Sequence, residues 1–149
     1  MTLSGYSNRQ SAPLFWLLFL FGVGSFVAGI SLGVIVAMVI SSLVALITLL
    51  LASMFVWLEV SEEEEHLFVR FGPLPGFKKR VSYDSITGVC RDRSLLIEGW
   101  GIHLGPRGWV WNLWGREIVE IELEEGRLRL GTDDPEGLLA HLNERCGLS

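Results

Sequence analysis

Between Pro13 and Leu58 not one residue is charged, and nearly every position is Leu, Val, Ile, Phe, Ala, Met, Gly or Ser. As one helix rising ~1.5 Å per residue, that run would reach more than twice the ~30 Å of a hydrocarbon core. Two spans are therefore expected, near 13–29 and 34–58, joined by a short turn within "AGISLG", with residues 1–12 as an N-terminal tail. Ser11 is placed to cap the first helix and Pro13 to sit in its first turn. Trp16 and Trp57 fall at the ends that share one membrane face, where an aromatic belt places them. Small residues recur every four positions, including Gly29, Gly33, Ala37 and Ser41, and such a stripe lets helix backbones approach within the hairpin or between copies.

Beyond the apolar run the period changes from helical to two. Leu67, Val69 and Phe71 alternate, "GPLPG" breaks the chain, and Phe77, Val81 and Tyr83 resume it. A further strand is expected over 86–91, and "SLLIEG" either ends it or adds a short one. In "EIVEIELEEGRLRLG" a two-residue turn at Glu125 and Gly126 sets Leu123 against Leu128 and Ile121 against Leu130, with Glu124 and Glu122 against Arg127 and Arg129 on the other face. The last element is a helix: Asp134 caps it, Pro135 opens it, Gly147 follows it, and Leu138, Leu139 and Leu142 form its apolar face. The count is about seven strands and one terminal helix, so 61–149 form an α+β domain behind a two-helix anchor.

All seventeen acidic residues and all but one of the twelve basic residues lie beyond Leu58. That acidic balance argues against a nucleic-acid partner. The run "EVSEEEEH" reads as a solvated junction below the domain. Catalysis needs convergent groups, and His66, His103 and His141 are scattered, with no zinc-ligand spacing, nucleophile elbow or phosphate loop. No enzyme activity, catalytic residue, metal or cofactor is expected, with an unrecognised enzyme as the remote alternative that a convergent buried His and carboxylate in a pocket would revive. Cys90 and Cys146 fit free thiols in a reducing compartment, with a structural disulfide as the rival that would imply the opposite topology. Arg9 with Arg70, Lys78, Lys79 and Arg80 favours the cytoplasm for both ends of the hairpin. A cleaved signal followed by one stop-transfer span is the alternative, and it leaves the C-terminal domain on the same side.

The segments "FVRFGPL", "YDSITGV", "GWGIHL" and "GTDDPEGLLAHL", in this order and with the amphipathic helix last, resemble the pleckstrin-homology (PH) superfold. More narrowly, the chain is similar to bacterial PH-like domains carried by small membrane proteins with two spans in front. The resemblance implies a seven-stranded antiparallel split barrel capped by a helix. It also implies a non-catalytic, multi-pass anchored module of the cell membrane that contacts the lipid bilayer and a protein partner, or a second copy of itself. Lipid-binding members grip anionic headgroups with basic residues beside the first hairpin, and Arg70, Lys78, Lys79 and Arg80 are the matching positions here.

Four of the six tryptophans fall in "GWGIHLGPRGWVWNLWG". If Pro106 and Arg107 alone make the turn, Leu104 faces Trp109 and Ile102 faces Trp111, all on the core face with Trp100 and Leu113. If Gly108 takes a left-handed bulge, the pairing slips by one and Trp109 and Trp111 turn outward beside His103. Hydrophobic pattern favours the first register and glycine placement the second; the gain from burying two tryptophans tips the expectation to the core. Trp114 alternates away from Trp111 in both registers and is the expected exposed contact. The interaction-surface candidates are thus Trp109, Trp111, Trp114 and His103.

Overall fold

A computed structural model describes residues 5–95 and 98–148. In chain order the elements are β1 (Ser7–Ser11), α1 (Leu14–Ser31), α2 (Ile35–Met54), β2 (Trp57–Glu63), β3 (His66–Phe71), β4 (Lys78–Ser82), a 3-10 turn (Tyr83–Ser85), β5 (Ile86–Arg93), β6 (Gly101–Gly105), β7 (Gly108–Asn112), β8 (Glu117–Leu123), β9 (Gly126–Gly131) and α3 (Pro135–Cys146). The class is α+β, with two N-terminal apolar helices, two sheets and a C-terminal helix. The sheets do not close on each other, and there are nine strands among the described residues rather than seven: four in the order β1-β2-β3-β4 and five in the order β5-β8-β9-β7-β6.

α1 and α2 are long and apolar enough to cross a membrane, with mean hydropathies of 2.1 and 2.8. They pack against each other through small residues. A side chain at Gly29 would sit 1.6 Å from the Ser41 hydroxyl and 3.3 Å from the Ala37 carbonyl, so the backbones meet at that point. Gly33 lies in the connection rather than in the contact. Gly29, Ala37 and Ser41 thus form an intrachain packing seam.

Two boundaries depart from the sequence expectation. Residues 7–11 are not a free tail but an edge strand, paired antiparallel to β2 from Ser7 opposite Ser61 to Ser11 opposite Trp57. The second helix ends at Met54 rather than Leu58, because Leu58 and Val60 already alternate with Glu59 and Ser61 and are buried in the domain core. The chain therefore enters the sheet, leaves it for the helical hairpin, and returns to the neighbouring strand. Trp57 follows suit: the guanidinium carbons of Arg9 and Arg70 each stand 4.6 Å from its ring centroid.

The "EVSEEEEH" run is likewise strand and turn rather than a loose junction. Glu59 takes Arg9 at 3.3 Å and Arg70 at 2.9 Å, Glu62 takes Arg145 at 2.9 Å, and Glu63 takes Arg80 at 2.8 Å. Glu64 turns the chain at φ +46°.

The core lies between the sheets and is closed at one end by α3. Leu67, Val69 and Phe71 face it as their alternation predicts, against Ile121, Leu128 and Leu130. α3 has the expected ends: the Asp134 carboxylate accepts from the Gly137 N–H at 3.0 Å, and Gly147 is left-handed at φ +63°. The β8–β9 hairpin keeps the predicted faces but not the predicted register. Ile121 opposes Leu128 and Val119 opposes Leu130, while Glu122 opposes Arg127 and Glu120 opposes Arg129. The turn is Glu124 and Glu125, and Gly126 follows at φ +100°, a backbone conformation that a side chain would strain. Shifting by two residues changes every partner and no face, so alternation could not separate the two.

Candidate interaction surface

β6 and β7 carry the tryptophan-rich stretch at the far end of the five-stranded sheet, where β6 is the edge. Pro106 and Arg107 make the turn, with Ile102 opposite Trp111 and Leu104 opposite Trp109. Gly108 has φ +121° as the bulge reading required, yet the pairing does not slip. Its glycine is needed for a second reason: β7 runs parallel to β9, and a side chain at Gly108 would come 2.5 Å from the Arg127 carbonyl.

The register is thus the core one, but the core reaches only half of the hairpin. Trp111 is buried against Phe71, their ring centroids 6.1 Å apart. Leu104 and Trp109, two residues nearer the tip on the same face, are 68% and 46% exposed. The expectation that Trp109 joins the core is corrected, because the sheet extends past the elements that cover it. Trp100, also assigned to the core, is 45% exposed. Trp114 is half-buried rather than the exposed contact: it stacks on Trp100 with centroids 4.3 Å apart, and the Trp100 indole N–H donates to the Gly115 carbonyl at 3.3 Å. His103 is partly buried, and its Nε2 has no hydrogen-bond partner among the described residues.

Behind this surface, the outer face of the same sheet holds a charge cluster that alternation did not foresee. Arg129, expected at the surface opposite Glu122, is fully buried. Its Nη1 donates to Glu98 at 2.7 Å and its Nη2 to Asp92 at 2.8 Å, while its Nε lies 3.5 Å from Glu120. Arg107, at the tip of the tryptophan hairpin, reaches Asp92 at 3.0 Å and Glu98 at 3.7 Å. Burial pushes the Asp92 and Glu98 carboxyls up. Backbone N–H groups of Arg93 and Leu95, together with the Arg129 guanidinium, outweigh burial and hold both below the usual carboxylate range. Arg129 therefore ties β9 to β5 and to the segment leading into β6, and Arg107 ties the hairpin tip to the same carboxylates. Of the "SLLIEG" stretch, Leu96 and Ile97 lie outside the described residues.

The four basic candidates divide between two faces. Lys78 opposes Arg70 and shares a face with Arg80, whereas Lys79 opposes the core residue Val69. Arg70 and Arg80 are occupied by Glu59 and Glu63, and Lys78 and Lys79 have no ion-pair partner among the described residues. Arg9, beside Arg70 over Trp57, joins them through β1.

A second titratable cluster joins the N-terminal strand to α3. The His141 ring stacks on Tyr6 with centroids 5.1 Å apart, and its Nε2 lies 2.9 Å from the Tyr83 hydroxyl. Glu62 is 3.9 Å from it and Arg145 closes the group. Burial pushes the Tyr83 hydroxyl up to about 12, with the Glu62 charge adding to it. Burial also lowers His141 below its ordinary 6.5, and the Glu62 attraction does not make up the difference. Above pH 6.5 both folded and unfolded forms are neutral at this site. As pH falls through 6.5 the unfolded chain takes up the proton first, so stability drops until the depressed folded value is passed. The expected result is a melting temperature that declines below pH 6.5 in the wild type and declines less in His141→Asn, read by thermal unfolding across pH. Among the described residues no group of three or more His, Cys, Asp or Glu is arranged to hold a metal ion, and both cysteines are free thiols.

No protein-family model, curated protein or solved structure matches this chain.

Proposed function

We propose that this protein is a membrane-anchored, non-catalytic PH-like module that binds a protein partner or scaffolds a membrane complex. The order of two apolar helices, two packed sheets and a closing amphipathic helix supports the PH-like reading. Two departures stand beside it: the parallel β7–β9 pair and the strand contributed from before the helices. The cytoplasmic placement rests on Arg9, Arg70 and Lys78 at the helix-proximal end of the four-stranded sheet and on the free thiols.

The observation that carries the interaction reading is the exposed cross-strand pair Leu104 and Trp109. Both are large and apolar, and the turn between them is fixed by Arg107 on Asp92 and Glu98. Tryptophan is among the residues enriched at interface hot spots, and the ion pairs of Arg107 hold this one on a fixed turn. The test is crosslinking and purification from native membranes with the wild type, Trp109→Ala and Leu104→Ser. A specific partner captured by the wild type is expected to be lost from both variants while their unfolding temperatures stay near wild type. Capture unchanged by either substitution would sink the reading.

A second reading, binding of anionic lipid headgroups, is favoured by Lys78 beside Arg70 and Arg9 at that same end. Each basic residue near such a surface gains about 1 kcal/mol. It expects the full chain, extracted from mixed vesicles, to retain anionic lipid in a salt-sensitive way and to retain less as Lys78→Glu. Equal retention by wild type and variant rejects it. The full chain is required, because a fragment starting at Trp57 lacks β1.

A further inference from the structure

We infer that the groove between the end of α2 and the start of β6 holds the upper acyl-chain and glycerol region of a phospholipid of the surrounding leaflet, so that the β6 edge rests in the bilayer interface. This rests on the reading of α1 and α2 as membrane spans.

The groove encloses about 350 Å³ and is lined by Leu51, Met54, Phe55, Phe77, Trp100 and Ile102, together with Phe71 and Gly101. Its floor belongs to α2: Leu51 lies about one helical turn before the last helical residue, Met54. The domain is seated directly on that end. Gly72 leaves no room for a side chain, since a Cβ there would meet the Ser53 carbonyl at 2.5 Å, and the Phe55 ring packs on Phe71 and comes within 3.6 Å of a Cβ placed at Gly101. Trp100 and Ile102 are therefore held at the level where the span leaves the hydrocarbon, the depth at which tryptophan concentrates in membrane proteins. The Trp100 N–H is satisfied by the Gly115 carbonyl, and among the described residues no charged side chain lines the groove.

The chemistry selects the occupant. A groove whose floor is the last turn of a span continues into the apolar layer; a water-soluble peptide could pair along the open β6 edge, but the part of it reaching that floor would bring backbone N–H and C=O groups with no partners. An acyl chain has none. The described lining holds no cation, which points to the glycerol and upper chain rather than to a headgroup. This site is distinct from the Leu104 and Trp109 pair, which lies beyond the groove toward the hairpin tip.

The test uses the full wild-type chain in phosphatidylcholine vesicles doped with a phosphatidylcholine that carries a photoactivatable diazirine at a shallow acyl carbon. After irradiation, adducts are located by peptide fragmentation. Adducts at Phe77 and Trp100 to Ile102, alongside those on α1 and α2, are the expected result. Labelling confined to residues 14–54 overturns the inference while leaving the spans intact. If α1 and α2 also escape labelling, the membrane reading itself fails, and the inference with it.

Discussion

Arg129→Met is expected to destabilise the domain by about 3–5 kcal/mol, because it leaves carboxylates facing one another without the cation they surround. Arg129 is fully buried, and Glu98 and Glu120 have side chains only 6% and 8% exposed. Asp92, at 26% exposed, can recover some hydration, and Arg107 remains near Asp92 and Glu98, which places the cost toward the lower end of that range. Arg129→Lys does not rescue it: one ammonium cannot donate to Glu98 and Asp92 in the fork geometry of a guanidinium. Adding Glu98→Gln and Asp92→Asn to Arg129→Met is expected to restore part of the loss, since neutral amides cost less to leave buried. Denaturant unfolding of the purified chain measures all of these. An Arg129→Met variant within about 1 kcal/mol of wild type would show that the cluster is hydrated and contributes little.

The second large effect separates two tryptophans two residues apart. Trp111→Ala is expected to cost about 3–5 kcal/mol, because it empties a site packed between Phe71, Ile102 and Leu130 that nothing else fills. Trp109→Ala, on the same face but 46% exposed, is expected to cost about 1 kcal/mol or less. Thermal unfolding of the two variants side by side reads the difference. Comparable losses would mean that Trp109 is packed in the isolated chain as firmly as Trp111. Near-silence at Trp109 in stability, with loss of partner capture, would support the proposed contact role of Trp109 and set it apart from the packing of Trp111.

These two experiments bear on different kinds of legibility. The tryptophan hairpin was readable as a choice between two registers, and the core register is the one observed. Where the core stops along the hairpin was not readable, because exposure of Leu104 and Trp109 depends on how far the four-stranded sheet and the end of α2 reach. Arg129 was less accessible still. Its alternation with Leu128 and Leu130 assigns it correctly to the face opposite the core. On that face Asp92, Glu98 and Glu120 gather around its guanidinium, and the side chain is buried among them. A period of two separates the faces of a strand and says nothing of what covers the outer one.

The same limit explains β1. Five polar and charged residues before a proline carry no apolar alternation, so "SNRQS" reads as a tail. Its burial and pairing come from β2 beside it, a partner more than forty residues away whose edge would otherwise be unpaired. For Arg9, stacked over Trp57, and for Tyr6, stacked on His141, the sequence holds no local signal.

By itself, the sequence determined the features whose free energy is local or periodic. These are the two uncharged helices, the alternation of strand faces, the break at "GPLPG" and the capped terminal helix, because desolvation and backbone geometry act on neighbouring residues. Only the tertiary structure decided the strand order, the parallel approach of β7 to β9, the burial of Arg129 and the groove between α2 and β6. Each of these depends on which surfaces meet, and packing energy between distant segments leaves no mark on the spacing of residues within either one.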